Sequence, residues 1–216
     1  GEVVLASVIC AVEPAGLHLV PSHIRLVGVE VEMAAVLGRE KKLAEILEGI
    51  KQDYEFLVLD CPPSLTLLTV NALTAADSVL IPVQCEYYAL DGLSKLLGTV
   101  RLVQRYLNPA LGIEGALLTM YDDRVQLSRR VATEVQSYFG DKVYRTFIKR
   151  NVSLAEAPGF GQPVILYAPL STGAENYTRP VSYTHLRAHE TLRDRVCRLL
   201  LEKKREGGGG GGGGGG

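Results

Sequence analysis

Apolar residues recur along this chain with two different periods. A continuous run at 56–59, rich in branched side chains, predicts a strand buried on both faces, and 78–83 predicts another buried strand. Further strands are predicted at 17–20, ended by Pro21 and a Ser22 turn or cap, at 113–120 and at 143–148. Between them the spacing becomes helical. Val31, Ala34, Ala35 and Leu37, then Leu43, Ile46, Leu47 and Ile50, predict one or two helices broken near Gly38. Leu67, Leu68, Asn71, Ala72 and Ala75 predict a short helix. Leu93, Leu96, Leu97, Val100, Val103 and Leu107 predict a long amphipathic one, closed by Asn108 and Pro109. Residues 125–139 predict a further helix, stopped by Gly140, and 154–157 begin a short helix before the turn-rich PGFGQP. A brief apolar run follows at 164–167. Alternating strands and helices with continuous apolar strands predict an α/β fold on a mostly parallel, doubly wound sheet.

One stretch brings chemistry into that pattern. In YEFLVLDCPPSL, residues 54–65, the apolar run ends on Asp60, and Pro62 and Pro63 cannot donate to a sheet ladder. The acid is therefore expected at the carboxyl edge of the sheet, where open α/β folds bind ligands. An aspartate there can hold hydrated Mg²⁺ or orient water beside a phosphate, and it can equally cap the next turn. The local pattern fits both.

Composition narrows the field further. With 216 residues, 47% hydrophobic and 22% charged, the chain has material for one large domain with a real core. No apolar run reaches membrane-spanning length, and the first residues lack the basic region of a signal peptide. They also lack an initiator Met, so the chain is expected to begin inside a longer protein. Cys10, Cys61, Cys85 and Cys197 have no metal-ligand spacing and are read as free thiols in a reducing cytoplasm. The net charge of −1 supplies no global basic field, so any nucleic-acid contact must come from a local patch.

Beyond Pro180 the composition changes abruptly. Residues 183–191, YTHLRAHET, read as a translated sequencing adapter, followed by index-like residues 192–194 and a terminal run of glycine at 207–216. The alternative, an amphipathic helix using Leu199, Leu200 and Leu201, leaves that ordered series unexplained. The expected division is an incomplete α/β domain at 1–180 and a non-native tail at 181–216. Setting aside the seven basic and four acidic residues of the tail leaves 16 against 20. The two histidines left, His18 and His23, form no catalytic pair.

Four phrases, LDCPPSL, NALTAADSVLIPVQCEYYALDGL, LLTMYDDR and RNVSLAEAPGFGQPVILYAP, together resemble the ParA/Soj chromosome-partitioning ATPases, which are deviant P-loop NTPases. The likeness runs from about Leu17 to Tyr177. It implies a cytoplasmic, nucleoid-associated ATPase that uses ATP and Mg²⁺, dimerises on ATP and binds DNA nonspecifically. A ParB-type partner would stimulate hydrolysis, and no membrane is involved. It further implies that Asp60 acts in catalysis by binding Mg²⁺ through water. Gln84, Cys85 and Glu86 fall near the nucleotide and the dimer face. Met120, Tyr121, Lys149, Arg150 and Asn151 fall where loops approach the adenine. Arg124 matches a DNA-binding arginine, and Arg129 and Arg130 could extend a phosphate-contacting patch; a solvated helix face would look the same. Tyr87 and Tyr88 are expected to pack under the next helix.

The chain also departs from the family. Lys149 stands where the family has a proline, and Ser153 where relatives often have a DNA-binding arginine. The Gly-rich loop with its lysines and the DxDPQ phrase are both missing from these residues. Such a loop supplies backbone N–H groups and lysine charge to the phosphates, so a fragment without ATPase activity is expected. Two other readings stay open: a MinD-like ATPase, and a non-catalytic binding module that lost its P-loop.

Overall fold

A computed structural model describes residues 5–12, 16–62, 64, 66–187 and 201–203. Pro63, Leu65, Cys197, the leucines at 199 and 200 and the terminal glycines lie outside the described residues.

The fold is α/β with a parallel sheet, and its centre is one βαβ unit. Strand β4 (Ser78–Gln84) lies parallel to β5 (Gly112–Thr119), joined by helix α4 (Ala89–Tyr106). Parallel neighbours need a crossover of this length, which the amphipathic pattern at 93–107 supplies. Leu93, Leu97, Val100 and Val103 turn one stripe of α4 into the core, and each such burial contributes about 1.5–3 kcal/mol. Helix α5 (Gln126–Phe139) adds Val131, Val135 and Phe139 to that core, then ends where Gly140 takes a positive φ of 55°.

Before this unit come β1 (Cys10–Val12), β2 (Leu17–Leu19), α1 (Leu26–Glu32), α2 (Lys42–Leu47), β3 (Tyr54–Phe56) and α3 (Leu67–Ala75). Gly38 does separate α1 from α2, in the left-handed conformation at φ 70°. The amide of Asn71 is the buried tie here. It donates to the Arg39 and Leu67 carbonyls and accepts from the Leu43 N–H, locking α3 to the segment before it. Asn108 does the same at the far end, donating to the carbonyls of Leu73, Thr74 and Ala76. A residue read from sequence as a helix stop is thus also a clamp between α3 and α4.

After α5 the chain forms α6 (Val152–Glu156), α7 (Val164–Tyr167) and α8 (Thr172–Arg187), which continues through Pro180. Strand β6 (Leu201–Lys203) pairs antiparallel with both β2 and β3.

Three local expectations change. The strand at 56–59 is displaced and shortened to β3, because only Leu57 of that run is fully buried and β3 pairs antiparallel with β6. β1 and β2 also pair antiparallel, since the few residues between them are too short for a crossover. The strand at 143–148 reduces to contacts at its ends. Tyr144 donates to the Ala116 carbonyl and Ile148 to that of Leu118, so four residues span the distance of two and the middle bulges out. That segment crosses β5 at Gly115, where a Cβ would lie 2.5 Å from the Lys142 carbonyl oxygen.

Candidate functional site

The carboxyl ends of β4 and β5 and the segment at 148–151 meet at one edge. Gln84 is in register with Thr119, and the Cys85 N–H donates to the Thr119 carbonyl at 3.0 Å. Tyr121 bridges Lys149 in parallel, donating to Ile148 and accepting from Arg150. Backbone bonds alone therefore gather Gln84, Glu86, Met120, Tyr121, Lys149, Arg150 and Asn151, seven residues from three stretches of sequence. This is the end of a parallel sheet at which α/β folds take ligands.

Side chains then lock the edge. Arg150 Nη2 meets Glu86 Oε1 at 2.8 Å, and Lys149 Nζ meets Asp123 Oδ2 at 2.8 Å. Arg124 grips Asp122 through two bonds, at 3.0 and 2.8 Å. The Arg124 side chain and backbone N–H hold the Asp122 carboxyl down at about 2. Asp123 is lowered as well, first by its hydrogen bond from Lys149. Three cations thus face three anions, and the edge is neutral. Asn151 caps α6, accepting from the Ser153 N–H at 2.8 Å and donating to Thr172 Oγ1 at 2.8 Å. Asn176 of α8 accepts from the Lys149 N–H.

Met120 is the one non-glycine residue with positive φ among the described residues, at 52°. Holding a side chain in the left-handed region costs about 1–2 kcal/mol. The strain sits at the carboxyl end of β5, where the chain leaves the strand toward Tyr121. Tyr121 itself packs on Phe147, ring centroids 4.8 Å apart.

Other residues singled out in the sequence lie apart or behave differently. Asp60 is exposed, three residues past the buried Leu57, and among the described residues no hydrogen bond or ion pair links it to the β4–β5 edge. Arg129 and Arg130 sit exposed on α5, the latter 3.4 Å from Glu134. Tyr87 and Tyr88 do not pack under α4. They are 74% and 82% exposed and meet edge to face, lying just before α4, whose fully buried stripe begins at Leu93. Cys85 is buried, its carbonyl accepts from Ser128 Oγ, and burial pushes its thiol up to about 11. It is therefore an unreactive core residue. Asp122, Asp123 and Asn176 were missed. The adjacent acids in the YDDR phrase were a visible signal, and Asn176 had none.

A family model described as an AAA domain matches residues 1–113. The chain is 59% identical over 161 residues to the sporulation initiation inhibitor protein Soj of Bacillus subtilis, covering 74% of this chain and 64% of that protein. It is 45% identical over 181 residues to the chromosome partitioning protein ParA of Caulobacter vibrioides, covering 83% and 68%. The chain thus spans about two thirds of the length of these relatives. Among solved structures, cobyrinic acid a,c-diamide synthase from Mycobacterium smegmatis with bound ATP analog and magnesium aligns at a TM-score of 0.72. Its sequence identity is 33%, over 90% of this chain and 72% of that one.

Proposed function

The chain belongs to the Soj/ParA family of chromosome-partitioning ATPases, and from that premise we propose that it is part of an ATPase that segregates chromosome or plasmid DNA. The observation that carries the site reading is the convergence of Gln84, Glu86, Met120, Tyr121 and residues 149–151 at one strand edge. In this reading Met120, Tyr121 and the 149–151 segment line the adenine side. Asp60 serves Mg²⁺ through water. A single exposed carboxylate suits that ion, which keeps several waters and takes its other ligands from phosphate. Among the described residues no group of three His, Cys, Asp or Glu could cage a metal. The donor set therefore fits an ion carried by the nucleotide and not a protein-built centre.

The phosphate side is different. These 216 residues carry no Gly-rich lysine loop, the part that gives backbone N–H groups and lysine charge to a triphosphate, so no ATP turnover is expected of the chain by itself. In the intact protein ATP joins two copies, Arg124 contacts DNA with Arg129 and Arg130 beside it, and a ParB-type partner stimulates hydrolysis. The protein works in the cytoplasm on the nucleoid. Among the described residues no helix is long and apolar enough to cross a membrane.

The test joins this chain to the Gly-rich lysine loop of a full-length relative. ATP hydrolysis is expected, falling about 10–100-fold in Asp60→Ala, the usual loss when a group acting on a metal through water is removed. Unchanged turnover in that variant would refute the assignment of Asp60.

A further inference from the structure

Asp122 lies outside every residue assigned above to nucleotide or DNA, yet it holds the arginine assigned to DNA. Arg124 Nε donates to Oδ1 at 3.0 Å and Nη2 to Oδ2 at 2.8 Å, the planar two-point fork that arginine offers a carboxylate. Oδ1 also accepts the backbone N–H of Arg124 at 3.0 Å, so the acid is fixed by a local turn as well as by charge. The two partners differ in exposure. The arginine side chain is 86% exposed and the aspartate only 20%.

We propose that Asp122 masks Arg124: its carboxylate is a built-in counter-ion that competes with a backbone phosphate and so sets how tightly this edge holds DNA. The inference rests on the reading of Arg124 as a phosphate contact. A guanidinium has five N–H donors, of which Asp122 takes two. A phosphate can therefore reach Arg124 while the fork is closed, but it meets a neutral pair. Counter-ions are released from DNA when a free cation replaces them, and a cation already neutralised within the protein releases fewer. The carboxyl titrates near pH 2, so the mask is ionised at neutral pH. Of the three arginines assigned to DNA, Arg124 carries the tightest acid: Arg130 reaches Glu134 only at 3.4 Å through one nitrogen.

Asp122→Asn tests this directly, because the amide oxygen can still accept the Arg124 N–H while the charge is lost. Binding of a labelled random-sequence duplex is measured by fluorescence anisotropy between 50 and 200 mM salt. The chain joined to the Gly-rich lysine loop of a full-length relative, with ATP present, is compared with its Asp122→Asn, Arg124→Ala and double variants. Asp122→Asn is expected to bind more tightly and with a salt slope steeper by about 0.9, so that its advantage is about threefold larger at 50 than at 200 mM salt. Arg124→Ala should bind more weakly, and the double variant should match it, because the mask acts only through Arg124. Equal or weaker binding by Asp122→Asn, with Arg124→Ala still weakened, overturns the mask alone. So does an equal gain in the Arg124→Ala background. Binding unaffected by Arg124→Ala, or absent from every variant, refutes instead the DNA reading beneath it. Asp122→Ser, which keeps an oxygen for the turn, carries the same expectation should the asparagine variant fail to fold.

Discussion

The β4–α4–β5 unit and the sheet of β1, β2, β6 and β3 use the same residue types and are held in opposite ways. In β4, Val79, Ile81 and Val83 are buried, and in β5 the run Ala116, Leu117 and Leu118 is buried. β1, β2 and β3 contribute no fully buried residue. A strand followed by a crossover helix has that helix laid over one of its faces. A strand joined only to antiparallel neighbours, as β1 is to β2 and as β2 and β3 are to β6, needs no crossover helix laid over it. The carboxyl edge that gathers the candidate site belongs to the first kind of strand, and Asp60 to the second.

That contrast breaks most sharply under truncation of one leucine in each region. Leu118 is 1% exposed between β4 and the 143–148 segment, and Leu118→Ala is expected to cost about 2–5 kcal/mol. Leu19 in β2 is 45% exposed, and Leu19→Ala should stay within about 0.5 kcal/mol. Denaturant midpoints of the two variants measure the difference. Similar losses would mean that both sheets fold as one equally buried body.

The same contrast explains what could be read from the sequence. Within β4–α4–β5 the face that α4 buries is announced by period, since Leu93, Leu97, Val100 and Val103 must share a face. The family likeness was equally legible, in phrases that lie mostly on this unit and the segment after it. The strand at 56–59 was misplaced because an apolar run shows that residues are hidden and not what hides them. Here only Leu57 is fully buried. Tyr87 and Tyr88 misled for a similar reason, as aromatic rings in sequence carry no sign of which way a helix will turn. The ion pairs of Glu86 with Arg150 and Asp123 with Lys149 span 64 and 26 residues, so no local pattern could announce them.

A smaller effect sharpens the comparison at the end of β5. The buried unit is firm enough to hold Met120 at a φ of 52°. Met120→Gly removes a left-handed penalty of about 1–2 kcal/mol and adds about 0.5–1 kcal/mol of unfolded-chain entropy. A net gain of about 0.5–1 kcal/mol is expected, read as a higher melting temperature. A loss would show that the methionine side chain contributes more than its backbone costs.

The smallest expected effect is at Asp122, where even a two-point ion pair stands in water. Its carboxyl is lowered to about 2, first by the Arg124 side chain and then by the Arg124 N–H. A lowered carboxylate stabilises the fold fully above the unfolded value of about 3.9 and loses that contribution as pH falls through about 2. Exposure of Arg124 screens the pair, so acid should remove far less stability here than Leu118→Ala does. In Arg124→Ala the Asp122 carboxyl should titrate at higher pH, followed by its carbon-13 shift. It should stop short of the ordinary value because the backbone N–H at position 124 still donates to it. A titration that did not move would mean that the turn alone holds the acid. Asp122 would then owe its place to the turn and not to the Arg124 charge.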